Sequence, residues 1–380
     1  MQPMTNLFLA AVLILTACKE NKELVDTTQS QNPTVTNTTI VNNREVIWGL
    51  DFLPDGDMLF TEKRGRLVRV NKTNNALTEI SGLPTDIDAS GQGGLMDIKV
   101  HPNYVSNGWI YANYSSTGGF LNLIRFKLNG NQVSNTEILL KTNTASTWRG
   151  HYGGRIVFDK AGYLYLSVGE GGTTSYGGEN SPNKNAQNVQ SPWGKIHRMT
   201  DDGKVPADNP VLPGSSAAST IWCYGLRNPQ GLVYNPLTDQ LWETEHGPLG
   251  GDELNLIQKG KNYGWPLVSY GKNYDGVPVS ASPLKEGIEP PVTYWVPSIA
   301  ACGLIVVTNP KFKRWYGNLM SGALAGAHVH RIMFQGDKIV ETEKHWNGIG
   351  RVRNIKEGPD SNIYLCVEGP GRIIRVSPNN

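Results

Sequence analysis

Residues 358–376 read GPDSNIYLCVEGPGRIIRV. A Pro-Asp turn leads into an alternating strand with a polar residue at its end, the signature of one arm of an antiparallel sheet. The unit recurs as FLPDGDMLFTEKRGRLVRV from Phe52, HPNYVSNGWIYANYSS from His101 and FDKAGYLYLSVGEGG from Phe158. It returns as YNPLTDQLWETEHGP from Tyr234 and NPKFKRWYGNLMSGALAGAHVHRI from Asn309. Six copies, at intervals on the order of 40 to 80 residues, predict an all-β chain folded as a six-bladed β-propeller, whose radial closure hides the sheet edges. The intervals are uneven, with long insertions after the third and fourth copies. A pair of β-sandwiches is the alternative reading of the same strands. In a propeller the loops between blades converge on one face around a channel, so insertions there are expected to build a site.

Upstream of the first unit, Leu7 to Ala17 is an apolar run of signal-peptide length, too short to span a bilayer as a helix. It ends Leu15-Thr16-Ala17-Cys18, similar to the bacterial lipobox, in which the cysteine is acylated and the preceding peptide removed. Residues 1–17 are therefore expected to be a lipoprotein-type signal peptide and Cys18 the lipidated residue. That places the protein on the periplasmic face or outer surface of a bacterial membrane. A signal peptide cut elsewhere is the other reading. Residues 18–43, rich in Thr, Asn, Gln and Lys, read as a flexible tether because they cannot bury enough apolar area to fold alone. Within them, Thr34 to Val41 alternates well enough to be an outer strand closing a sheet. Residues 44–380 remain for the propeller.

The composition agrees with a strand-and-turn protein: 43 Gly and 23 Pro stand beside 15 Tyr and 10 Trp, and no amphipathic helical pattern runs for three turns. A net charge of +2 without a basic stripe argues against a nucleic-acid partner. Besides Cys18, the cysteines are Cys223, Cys302 and Cys366, an odd remainder that argues against a disulfide framework.

Special chemistry is densest between Tyr224 and Pro266, YGLRNPQGLVYNPLTDQLWETEHGPLGGDELNLIQKGKNYGWP. An Arg-Asn pair (Arg227, Asn228), a His246-Gly247-Pro248 turn and an acidic pair (Asp252, Glu253) are costly to hold close together without partners, as the wall of a site would. His151 lies in a glycine-rich loop before the third unit, where a ligand can approach closely; a histidine there suits a general base. Gln92 occupies the corresponding loop before the second unit. Arg351 and Arg353, two apart on a strand-like segment, point to one face and can clamp carboxylates. The Gly247-Pro248 turn can present two carbonyl oxygens to a hard cation.

Taken together, the loop with Gln92, HYGGRIVF with His151, LRNPQGL, EHGPLGGDELNLI followed by NYGWP, YWVPSIA and RVRNIKEGPD resemble the soluble quinoprotein glucose dehydrogenase and aldose sugar dehydrogenase family. The resemblance covers nearly all of Val46 to Ser377. It implies pyrroloquinoline quinone (PQQ) and calcium as cofactors and an aldose sugar as substrate, with a downstream electron acceptor. It further implies His151 as the base, with Gln92 and Arg227 orienting the sugar. Asn228, Ser298, Arg351 and Arg353 would hold the quinone and Trp295 would wall its ring. The carbonyls of Gly247 and Pro248 would bind a calcium ion, and Glu253 with the carbonyl of Tyr263 a second, structural one.

Three departures from that pattern stand out. Ala325 replaces the lysine expected against the cofactor, a loss worth about 1.5 to 3 kcal/mol. Ala301-Cys302 replaces the usual Pro-Ser, and Gly150 stands where one branch has an acidic neighbour of the base. The enzyme reading is oxidation of an aldose at its anomeric carbon to a lactone. The alternative is a propeller that binds a sugar or other ligand without redox turnover.

Overall fold

Ile363 to Val367 is a continuous apolar run because both of its faces are buried, one sheet packing on each side. The same arrangement, repeated six times, makes the ring. The computed structural model describes residues 31–172, 176–336 and 338–379; the expected signal peptide and Cys18 lie outside them.

The described residues open with β1 (Val35–Arg44). Blade one follows with β2 (Ile47–Phe52), β3 (Met58–Glu62), β4 (Arg66–Val70) and β5 (Leu77–Ile80). Blade two holds β6 (Leu95–Val100), β7 (Ile110–Ser115), β8 (Leu121–Asn129) and β9 (Gln132–Lys141). Blade three holds β10 (Ile156–Phe158), β11 (Leu164–Val168), β12 (Lys195–Met199) and β13 (Ile221–Tyr224). Blade four holds β14 (Pro229–Asn235), β15 (Gln240–Glu245), β16 (Asp252–Ile257) and β17 (Thr293–Trp295). Blade five holds β18 (Ala301–Val306), β19 (Leu319–Ala323), β20 (His328–Gln335) and β21 (Lys338–His345). Blade six is built from β22 (Arg351–Glu357), β23 (Ile363–Glu368) and β24 (Gly371–Pro378), and β1 returns to pair with β24 as its fourth strand. All neighbours within a blade are antiparallel. The six sequence units are the second strands of the six blades with the turns before them, so the propeller prediction holds.

Each pair of neighbouring blades shares its own apolar core. Leu59 and Leu67 of blade one meet Ile98 and Phe126 of blade two. Leu254 and Trp242 of blade four meet Leu304 and Leu319 of blade five. The ring closes where Val41, Ile47 and Phe60 pack on Tyr364 and Ile373. The outer-strand expectation for Thr34 to Val41 is met by β1; the tether, drawn to residue 43, overran it. The local reason is the apolar pair Ile40-Val41, which packs on the closing core, and pairing along β24 provides the hydrogen bonds that this polar segment lacks alone.

One irregularity positions the site. The pairing between first and second strands shifts register at the same place in five blades, at 47/50, 95/98, 229/231, 302/304 and 352/354. Such bulges turn a strand and re-aim its side chains. Here they carry Trp48, Met96, Gln230 and Arg353 to one mouth of the ring.

Candidate active site

Those four side chains line a cavity of about 420 Å³, within the usual size of a small-molecule pocket. The loops entering the blades add Gln92, Tyr152, Asn228 and Ala300, and strand ends add Lys63, His246 and Glu368. Its charged lining comprises Lys63, Arg351, Arg353 and Glu368, three cations against one carboxylate. Arg351 and Arg353 do share a face, as their spacing predicts. Their Nε atoms donate to the two oxygens of Glu368 at 2.8 and 2.6 Å. Burial pushes the Glu368 carboxyl up, but the two arginines more than offset it and hold the group below its ordinary range.

Behind this wall sits the expected base. His151 has a left-handed backbone (φ 49°), a conformation that costs a non-glycine residue energy and persists only when its surroundings hold it. Gln92 is one holder: its side-chain carbonyl accepts the His151 backbone N–H at 3.0 Å. Trp148 stands edge-on to the imidazole, with ring centroids 4.7 Å apart. Nδ1 lies 2.7 Å from Oε1 of Glu170. The other oxygen of Glu170 accepts from Asn183 Nδ2 at 2.8 Å and Trp265 Nε1 at 2.6 Å. Gly169 makes the approach feasible, because a Cβ there would fall 2.2 Å from the His151 carbonyl oxygen.

The protonation states follow from these contacts. Burial, reinforced by the nearby Arg227 cation, holds His151 well below its usual range, so the ring is neutral at physiological pH. Burial pushes Glu170 up to about 7, while Arg227 and the Trp265 N–H pull it back. A carboxylate oxygen accepting two N–H donors is not itself protonated. When Glu170 is ionised, its Oε1 receives the imidazole proton on Nδ1, which leaves Nε2 with a bare lone pair. The acidic partner expected to be missing at Gly150 is thus supplied from 19 residues downstream. Its only sequence signal was a glutamate between glycines at the end of the third unit's strand.

Arg227 is buried with its guanidinium over Trp265, 5.1 Å from the ring centroid. Its Nη1 donates to the carbonyls of His246 and Gly247 at 2.8 and 2.7 Å. Asn228 lines the cavity, and its Oδ1 accepts from Gly153 N and Gln230 Nε2. Burial pushes His246 down to about 4, a neutral imidazole. Trp148 Nε1, Arg227 Nε and Nη2, and His246 Nε2 are all buried without a protein partner. Unpartnered buried polar atoms are costly and rare; of these residues His246 lines the large cavity, and Arg227 and His246 line the small void beside it.

Other expected residues fall elsewhere. Ser298 does not line the cavity; its hydroxyl donates to both oxygens of Asp252 at 2.8 Å, and Asp252 also gathers the backbone N–H groups of Gly247, Ile299 and Ala301. Trp295 is also outside the lining, packed edge-on against His330 with centroids 5.5 Å apart. Cys302 is buried at the start of β18, its Sγ 3.0 Å from the Arg353 carbonyl, so the Ala301-Cys302 variation leaves the strand intact. Cys223, Cys302 and Cys366 are all free. Ala325 is exposed beyond β19, while Leu324 lines the cavity.

The residues expected around calcium divide. Gly247, Glu253 and Tyr263 do meet, with Arg227, around a void of only about 10 Å³. The Gly247 carbonyl, however, is already taken by the Arg227 guanidinium, and Pro248 lines neither cavity. Among the described residues no three His, Cys, Asp or Glu side chains converge to hold a metal ion. Glu253 instead lies in a buried acidic face with Glu243 and Glu245. Burial, then mutual repulsion, pushes Glu243 and Glu253 well above the carboxylate range.

The comparisons with known proteins agree with this architecture. The family model for glucose/sorbosone dehydrogenases matches residues 44–375. The aldose sugar dehydrogenase YliI of Escherichia coli is 37% identical over 344 residues, covering 88% of this chain and 90% of that protein. The apo crystal structure of the soluble aldose sugar dehydrogenase from Escherichia coli superposes with a TM-score of 0.83 at 35% identity, over 91% of this chain and all of that one. A PQQ-bound aldose sugar dehydrogenase from Streptomyces coelicolor superposes with a TM-score of 0.74 at 26% identity, over 92% of this chain and all of that one. With a six-bladed ring, a buried histidine–carboxylate pair next to the residues that line the cavity and a family match running from residue 44 to residue 375, this chain belongs to the glucose/sorbosone dehydrogenase family.

Proposed function

We propose that this protein oxidises aldose sugars at the anomeric carbon to the lactone, with PQQ as the bound oxidant. The observation that carries the reading is the pairing of a neutral, Glu170-oriented His151 with a cavity lined by three cations and one carboxylate. The PQQ-bound relative supports the choice of cofactor. Its carboxylates fit the cation excess, and the orphaned donors of Arg227 fit a polar ring system. Arg351, Arg353 and Asn228 would hold it. When bound, the quinone supplies the acceptor for the hydride leaving the anomeric carbon.

The remaining chemistry belongs to the chain. Nε2 of His151 takes the proton of the anomeric hydroxyl as the carbon–hydrogen bond breaks, and the oxygen becomes the lactone carbonyl. Glu170 stabilises the imidazolium formed in that step and fixes its tautomer. Gln92, whose side-chain carbonyl is committed to the His151 N–H, holds the base in place and turns its amide N–H groups outward, toward a sugar. Arg227 puts two free N–H donors beside developing negative charge.

Calcium fits less well. The buried carboxylate of Glu253 suits a hard cation, whereas Arg227 shares the same void and the Gly247 carbonyl already accepts from it, so no step is assigned to an ion there. Export and lipid anchoring through Cys18 are part of the proposal and rest on the apolar run before it. Electrons would leave to a downstream carrier.

The test is to reconstitute the purified protein with PQQ and calcium and follow the quinone absorbance as aldoses are added. Reduction by at least one aldose is expected. No spectral change at saturating quinone would leave a binding propeller and end the enzyme reading.

A further inference from the structure

Two of the three cations at the cavity have a carboxylate to pair with, and one does not. Arg351 and Arg353 share Glu368. Lys63, in the turn between β3 and β4, has no acidic side chain within ion-pairing distance among the described residues. Its Nζ donates instead to the backbone carbonyls of Ala89 and Gly91, each at 2.8 Å. Two of its three N–H bonds are thereby fixed and the third remains for the cavity that the side chain lines.

The backbone is built to keep it there. Gly94 passes so close that a Cβ would lie 2.0 Å from the Lys63 carbonyl oxygen, which accepts the Leu95 N–H at 2.9 Å. Burial first, and then the nearby Arg353 cation, make the charged form of Lys63 harder to hold than in water, and the more distant carboxylates of Glu368 and Asp88 offset this only in part. An immobilised ammonium beside a second cation is a cost that an anionic ligand would reverse.

We infer that Lys63 receives a carboxylate of the bound quinone, as a third cationic contact beside Arg351 and Arg353, and so fixes how the cofactor lies in the mouth of the ring. The assignment rests on the PQQ reading above and names Lys63 as a binding and orienting residue.

The test compares wild type, Lys63→Met and Lys63→Arg in PQQ titrations followed by tryptophan fluorescence, at several salt concentrations, with the melting temperature of each apo protein. Loss of one charge-assisted contact weakens quinone binding by about tenfold to a hundredfold in Lys63→Met. The dependence of affinity on salt becomes shallower, while the apo melting temperature reports separately the loss of the two Nζ hydrogen bonds to Ala89 and Gly91. Lys63→Arg recovers most of the affinity. A Lys63→Met protein that binds as tightly as wild type, or one that binds weakly with an unchanged salt dependence, would overturn the assignment, the second outcome showing a lysine that merely braces its loop. If wild type takes up no quinone, the dehydrogenase reading falls and this assignment falls with it.

Discussion

Replacing Glu170 with glutamine changes one atom and should remove nearly all of the proposed activity. In the wild type, Oε2 accepts from Asn183 and Trp265 while Oε1 accepts from Nδ1 of His151. A glutamine has one carbonyl oxygen and one NH2. Two fixed donors at the Oε2 position outweigh one at Oε1, so the carbonyl settles toward Asn183 and Trp265 and the NH2 faces Nδ1. An NH2 donating to Nδ1 forces the ring proton onto Nε2, the atom that must be bare. Lost charge stabilisation alone, about 1.5 to 3 kcal/mol, corresponds to roughly 10- to 150-fold. The wrong tautomer adds to this, and the comparable change in a serine protease triad costs about 10⁴. We therefore expect kcat/KM to fall by roughly 10² to 10⁴ in Glu170→Gln, with PQQ affinity unchanged by titration. The pH profile supplies an independent check. His151 stays neutral far below pH 6.5, whereas burial places Glu170 at about 7. The ionised, orienting form of Glu170 accumulates as pH rises through about 7, and the wild-type rate should rise with it. In the variant that limb should vanish. Activity within threefold of wild type, with the limb intact, would refute the assignment of Glu170 to the base.

Further outcomes follow from the same geometry. His151→Asn should abolish turnover while leaving quinone uptake intact; unchanged turnover removes His151 from the mechanism. Trp265→Phe deletes an N–H that holds the Glu170 pKa down, so the rising limb should move to higher pH, visible in a kcat/KM profile. Glu253 is an acid whose folded pKa is raised, so its contribution to stability is present below its ordinary carboxylate pKa and lost as pH rises through the folded value. Urea midpoints for Glu253→Gln should therefore exceed wild type at pH 8 without calcium and converge with it at pH 5. Calcium should raise the wild-type midpoint more than the variant's if an ion sits there. Ile373→Ala, fully buried where blade six meets blade one, should destabilise the ring by about 2 to 5 kcal/mol in urea.

The ring was legible because every blade repeats the same local grammar, a turn of Pro, Asp or Gly before a buried second strand. The cavity-lining or base-bearing residues that could be read, Gln92, His151, Asn228, Arg351 and Arg353, lie just before first strands or at their beginning, where glycine and paired polar residues interrupt the apolar pattern. Glu170 and Lys63 were not legible as partners. Each sits at a strand end or hairpin turn, where a charge is unremarkable, and only the blade geometry sets Lys63 on the cavity and Glu170 against His151. Ser298 and Trp295 were misplaced for another reason. Resemblance transfers a residue type and not its neighbours, and Asp252 draws the serine hydroxyl and the adjacent backbone away from the cavity.

The first strand of the molecule is also the last to find its place. The pairing of β1 with β24 ties residues as much as 343 positions apart, so during synthesis the early segment waits, unmated, until the final hairpin has left the ribosome or the export channel. A nascent chain arrested before residue 371 holds five complete sheets and an open seam. Cells that make such a chain must keep that seam from annealing with a neighbour's β1, and crowding of unfinished copies would favour interlinked rings over single ones.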